Sequence, residues 1–205
     1  MAELAVERPD VNVAIEWKPF LLRPNMPEEG QPKAPDTPDN PRVGARLKQA
    51  GASSGVNFTG KTDRTPNATR AHALVKFFEA KESQEKGNKW PLGLQDCLMN
   101  IIFRHYFTDG LYPNKENLTT ALREALQKQQ SDAQASLFNA EDVVKDAVAF
   151  MEDANNRNAV AAEAAAYSRG GVSGVPYFFF GGQPAFSGAQ PPSTLKQSIL
   201  SVADN

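Results

Sequence analysis

Cysteine is nearly missing. Cys97 stands alone in 205 residues, so no disulfide can form within the chain, and no CxxC redox or zinc motif lies in it. Histidine is almost as scarce: His72 and His105 sit far apart, without a cysteine or carboxylate cluster to suggest a metal site. Neither sign of charge prevails, with 22 basic and 24 acidic residues and a net charge of −2. No electrostatic footprint for nucleic acid or an anionic membrane is expected from that balance. No run of eighteen apolar residues occurs, so no membrane span is predicted. The opening MAELAVERPDVNVAIEW lacks the basic, apolar and small-residue regions of a secretory signal. A reducing, cytoplasmic setting is the expectation. The Asn-x-Ser/Thr triplets at Asn57, Asn67 and Asn117 are then chance matches.

What the chain does have is enough length for one domain, or for one domain with a sizeable insertion. Its 40% hydrophobic and 22% charged residues suit a core that needs neither disulfide nor metal. Val11, Val13 and Ile15 alternate with Asn12, Ala14 and Glu16, which predicts a strand within Val11–Phe20. Before it, Ala2–Arg8 reads as about two helical turns, too short for a stable free helix. Six of the fifteen prolines fall between Arg23 and Arg42, which excludes an interior helix or central strand and predicts a long surface loop.

The middle is helical by periodicity. A weak helix is expected over Arg42–Gln49, ended by Gly51. Thr65-Pro66 offers an N-cap and a first-turn proline, followed by Ala71, Leu74, Val75 and Phe78 at i, i+3, i+4, i+7 spacing. A second stripe runs through Leu94, Leu98, Ile101 and Ile102 and stops near Asp109-Gly110. The cleanest is Leu118, Ala121, Leu122, Ala125 and Leu126. A fourth starts at Asn139 as N-cap, carries Val143, Val144, Ala147, Val148 and Met151, runs brokenly to Tyr167 and closes at Gly170-Gly171. The C-terminal part then changes character. Val175–Phe180 is an aromatic strand, Pro184–Ser187 a weaker strand forming a hairpin with it, and Pro192–Val202 a final helix. The mixture predicts an α/β fold.

Four segments carry a resemblance. They are Glu16-Trp-Lys-Pro-Phe-Leu-Leu with Pro24 and Pro27; Asn67-Ala-Thr-Arg-Ala-His72; Ile102-Phe-Arg-His-Tyr-Phe-Thr-Asp-Gly110; and Gly171-Val-Ser-Gly-Val-Pro-Tyr-Phe-Phe-Phe180 with Ser187-Gly-Ala-Gln-Pro191. In this order they resemble the DsbA family of thioredoxin-fold proteins, in its FrnE-like and 2-hydroxychromene-2-carboxylate isomerase-like branch. The resemblance implies a thioredoxin-like fold with an inserted helical domain, here with the first strand and the start of the active-site helix missing. It divides the chain into residues 1–22, a thioredoxin-like remnant of helix tail and strand; 23–138, the Pro-rich loop and inserted helices; and 139–205, the C-terminal thioredoxin-like part.

The implied family activity is protein disulfide exchange, which needs a thiolate activated at a helix N-terminus. With no CxxC, this chain is expected to be inactive as it stands. Cys97 reads as a small apolar side chain rather than a redox centre. The alternatives are a glutathione-dependent isomerase or transferase, in which a serine replaces the cysteine pair, and a non-catalytic peptide- or glutathione-binding module. By resemblance, Pro176 is the family's cis-proline, and Val175 offers its backbone to a substrate. Ser187, Gly188, Ala189 and Gln190 precede the last helix, where free amides suit a carboxylate, with helix capping by Ser187 as the plainer role. His72 is a further candidate, more readily explained by packing or hydrogen bonding, as is His105. Trp17 and Phe178–Phe180 read as core.

No metal or resident cofactor is expected, and glutathione is the candidate cosubstrate. The partners implied are glutathione or a thiol- or disulfide-containing protein, without nucleic acid or membrane. Absence of a strand and most of a helix would leave apolar area uncovered, at roughly 25 cal/mol per Å2. That weighs heavily against a typical stability of about 5–15 kcal/mol, so instability or self-association is expected.

Overall fold

A computed structural model describes residues 2–83, 93–131 and 139–204. They form two compact units, one of residues 16–164 and one of residues 1–15 with 165–205.

The larger unit is built from helices: α2 Ala45–Ser53, α3 Thr69–Ser83, α4 Leu94–Phe103, α5 Lys115–Ser131, α6 Ala140–Glu152 and the first part of α7 Ala154–Arg169. The stripes predicted from periodicity are the buried faces. Leu74 and Phe78 of α3, Leu94 and Leu98 of α4, Leu118, Leu122 and Leu126 of α5 and Met151 of α6 are all fully buried in one cluster. Helix α3 packs on α4 and α6, and α5 packs on the same two helices. Asn139 caps α6 as predicted, its Oδ1 accepting from Glu141 N at 3.0 Å. The break expected in the fourth helix falls at Asp153, whose Oδ1 accepts from Asn156 N at 3.0 Å. Arg157 Nη1 donates back to the carbonyls of Met151 and Glu152, satisfying the end of α6. The unit runs to Ala164 and so takes in α6, which the sequence division groups with 139–205.

Several expectations are corrected. Val11–Phe20 pairs with no strand among the described residues. Alternation prepares a segment for a ladder but cannot supply the neighbour. Val11 N instead donates to Arg8 O at 3.1 Å, and Trp17 N donates to Gln95 Oε1 at 2.8 Å. Thr65 does not cap a helix. It lies in β2 Arg64–Thr65, paired with β1 Gln31–Pro32 inside the proline-rich loop, and α3 starts at Thr69, whose N–H Asn67 Oδ1 accepts at 3.0 Å. Gly51 does not end α2 but lies within it, buried. A Cβ there would meet Phe58 Cδ2 at 2.5 Å, so glycine serves a close approach rather than a stop.

Past Phe103, α4 widens into a π-helical turn, Arg104–Asp109, closed by Gly110 at φ +82°. Carbonyls in this turn accept hydrogen bonds from the loop before α3. Thr62 Oγ1 donates to Tyr106 O at 2.7 Å, Thr59 N to Phe107 O at 3.1 Å and Thr59 Oγ1 to Thr108 O at 2.8 Å.

The smaller unit holds α1 Ala2–Glu7, β3 Tyr177–Phe180, β4 Gln183–Ser187, α8 Pro192–Ala203 and the end of α7. β3 and β4 form the predicted antiparallel hairpin, Tyr177 opposite Ser187 and Phe178 opposite Phe186, with a bulge between Phe178 and Phe179. Ion pairs Glu7–Lys196 and Arg8–Asp204 join the two ends of the chain.

Candidate functional site

Two segments singled out from sequence, Val175-Pro176 and Ser187–Gln190, meet in the hairpin. The Val175–Pro176 peptide bond is cis. Pro176 O accepts from Gly188 N at 2.8 Å, which extends the pairing one step beyond Tyr177 and Ser187. Gly188 takes φ +86° with open space around it, a turn that favours glycine. Gln190 Nε2 donates to the carbonyls of Ser187 and Gly188, both at 3.4 Å. Neither Ala189 N nor Gln190 N donates to another backbone group among the described residues. Val175 is 49% exposed, and Ser187 and Ala189 are exposed too. The outcome is a short open rim of backbone polar groups beside an apolar side chain.

Helix capping by Ser187 is corrected. The residue before α8 is Pro191, no side chain caps that end, and Ser187 lies in β4. Pro191 O accepts from Thr194 N at 3.0 Å, the backbone arrangement of a helix start without a side-chain cap.

His72 belongs to the helical unit. Its Nε2–H donates to Phe20 O at 3.1 Å, which fixes the tautomer, and burial lowers its pKa, so the ring is held neutral. His105 lies in the π-helical turn, buried, with Nε2 at 3.3 Å from Glu124 Oε2. Glu124 also takes both Arg104 Nη1 and Nη2, at 2.8 and 2.6 Å, and Lys128 at 3.3 Å. Those partners, Arg104 first, pull its pKa down to about 2. Trp17 is half-buried against the helical core, edge-on to Phe103, with Nε1 donating to Asp96 Oδ1 at 3.0 Å.

Cys97 is half-buried in α4, and burial raises its thiol pKa against the opposing influence of Lys128. A thiol so placed carries little thiolate near neutrality, the reverse of a redox nucleophile. No group of three or more His, Cys, Asp or Glu suited to a metal ion occurs among the described residues. No helix among them is long and apolar enough to cross a membrane.

Sequence reading missed a cleft of about 560 Å3 in the helical unit, lined among others by Glu28, Asn67, Arg70, Tyr112, Asn114 and Arg157. Arg70 pairs there with Glu28 and Glu152, and Arg157 is spent on α6 carbonyls. Its residues come from four separate stretches of chain, so no local motif announces it.

A helix-rich α/β chain whose proline-led aromatic strand faces a backbone rim has the make-up of a thioredoxin-type domain. The family model of the DSBA-like thioredoxin domain matches residues 2–200, and the chain belongs to that family, one of thiol–disulfide oxidoreductase type. Comparison with curated proteins and with solved structures gives no match.

Proposed function

We infer that the hairpin rim at Val175-Pro176 and Ser187–Gln190 binds a thiol- or disulfide-containing peptide or glutathione, and that residues 1–205 by themselves turn over no disulfide. The reading places the chain in the FrnE-like and 2-hydroxychromene-2-carboxylate isomerase-like branch, working in a reducing cytoplasm. One observation carries it: the Gly188–Pro176 bond draws the two candidate segments into one exposed rim. An extended peptide can hydrogen-bond to such a backbone edge, and free amides suit the carboxylates of glutathione. The chemistry stops at binding because exchange needs a reactive thiolate, and the single thiol, Cys97, is pushed toward its protonated form.

The test is a titration of isotope-labelled protein with oxidised and reduced glutathione and with a disulfide-containing peptide. Saturable shifts at Val175 and at Gly188–Gln190 are expected. Disulfide reduction is expected at background rate, unchanged by Cys97→Ser. Absence of shifts at the rim, or turnover well above background, defeats the reading.

A further inference from the structure

We propose that α2 and the chain on either side of it form a docking surface for an acidic protein segment that carries apolar side chains. The near balance of charge over the whole chain hides a local excess. From Arg42 to Lys61 there are four cations, Arg42, Arg46, Lys48 and Lys61, and no acidic residue. Elsewhere in the helical unit Lys18, Arg70, Lys76, Arg104, Arg123 and Lys128 pair with carboxylates. Arg42 is spent on the main chain, its Nε donating to Ala34 O at 3.0 Å and its Nη1 to the carbonyls of Gly60 and Lys61, both at 3.4 Å. The exposed side chains of Arg46, Lys48 and Lys61 meet no ion-pair or hydrogen-bond partner among the described residues. The carboxylate bonded to this stretch, Asp36, accepts from Arg42 N at 2.7 Å.

Apolar groups are interleaved with these cations. Leu47 lies between Arg46 and Lys48 and is 49% exposed. Val56, whose N–H donates to Gly51 O at 2.8 Å, is 40% exposed, and Phe107 is 39% exposed. Contacts tie them together. The Phe107 ring stands edge-on to Phe58 at 5.4 Å, and Phe58 is the ring that Gly51 of α2 approaches. A Cβ on Gly110, which closes the turn carrying Phe107, would meet Lys61 Cβ at 2.5 Å.

This mixture selects the partner. A helix that lies on a membrane needs an open apolar face, whereas α2 turns Gly51 inward onto Phe58. Phosphate backbones are held by many cations and draw nothing from Leu47 and Val56. An acidic segment with leucine or phenylalanine side chains uses both sets of groups, carboxylates on the cations and apolar side chains on Leu47, Val56 and Phe107. Its docking breaks no existing ion pair of Arg46, Lys48 or Lys61. The charges are exposed, so the association is reversible and weakens with salt.

Fluorescence anisotropy tests this on the full chain, with a labelled synthetic peptide of glutamate pairs alternating with leucine and phenylalanine as the probe. Isotope-labelled protein maps the contact. Saturable binding is expected, with shifts at residues 46–61 and at Phe107. The double variant Arg46→Glu, Lys48→Glu should weaken binding by about tenfold or more with the far-ultraviolet dichroism unchanged. Leu47→Ala should weaken it about threefold. Lys145→Glu reverses an exposed cation of α6 that is also unpaired among the described residues, and should leave binding intact. A peptide with glutamine in place of every glutamate should not bind. Absence of saturable binding overturns the proposal, as does binding indifferent to the double variant or equally weakened by Lys145→Glu. Tighter capture by phosphatidylserine vesicles or by a single-stranded oligonucleotide also overturns it, since the surface then serves another class of partner.

Discussion

Leu74, Phe78, Leu94, Leu98, Leu118, Leu122 and Leu126 are fully buried in the helical unit, whereas in the other unit Leu4 and Val172 are the buried apolar residues among those described. The difference does not lie in how apolar the segments are. β3 is four consecutive aromatics, and α8 carries Leu195, Ile199 and Leu200, yet no residue of α8 is buried. It lies in the number of neighbours. α3, α4, α5 and α6 each meet two or more partners, so every apolar stripe is covered. The two-stranded hairpin of the other unit meets α8 and the end of α7 through few residues, and two-stranded hairpins with little cover are marginal in water. Burial, not composition, sets where the molecule's stability resides.

Four substitutions press on that contrast. Phe78→Ala opens a cavity in the helical core and should cost about 3–5 kcal/mol in denaturant unfolding. A loss under about 1 kcal/mol would mean that the helices are not the stable part. Phe180→Ala, in the half-buried hairpin, should cost about 1 kcal/mol or less, because much of the ring's surroundings is already open. Native-state amide exchange should agree, with α3–α6 slow and β3, β4 and α8 fast.

The third concerns acid. Glu124 has its pKa depressed from 4.5 to about 2 in the folded state. A depressed carboxyl contributes stability above its unfolded pKa and loses it as pH falls, so this part should fade between about pH 4.5 and 2. Glu124→Gln should flatten the stability profile in that window. Its effect at neutral pH should stay under about 1 kcal/mol, since solvent screens a partly exposed ion cluster. The smallest effect belongs to Glu7→Gln, which breaks the exposed pair with Lys196 and should change unfolding free energy by about 0.5 kcal/mol or less.

What was legible follows from the same physics. Helix α5 and the start of α6 can be read directly, because a 3.6-residue stripe and an asparagine cap are local signals that tertiary packing then reinforces. The aromatic strand, its hairpin partner and the last helix are legible for like reasons, bounded by glycine and proline. Val11–Ile15 misleads because strand pairing depends on a neighbour that alternation does not specify. Gly51 misleads because a glycine needed for contact with Phe58 has the same letter as one that ends a helix. The candidate rim was named in two pieces, and the Gly188–Pro176 bond that joins them is a matter of register. The π-helical turn has no compositional mark at all.

That turn also bears on how the sequence can drift. A π turn is what an α-helix becomes on accommodating one extra residue, and it frees backbone carbonyls from the regular ladder. Here the carbonyls of Tyr106, Phe107 and Thr108 hold the loop at Thr59 and Thr62. The main-chain anchors at those three positions survive a change of side chain. Such a change costs further contacts, among them those of Tyr106 Oη with Arg64 O at 3.1 Å, Thr108 Oγ1 with Asn57 O at 2.9 Å and Phe107 with Phe58. Loss of a single residue between Arg104 and Asp109 is different. It would restore an unbroken helix and withdraw the acceptors together, so descent within this lineage should conserve the length of this stretch more strictly than its letters.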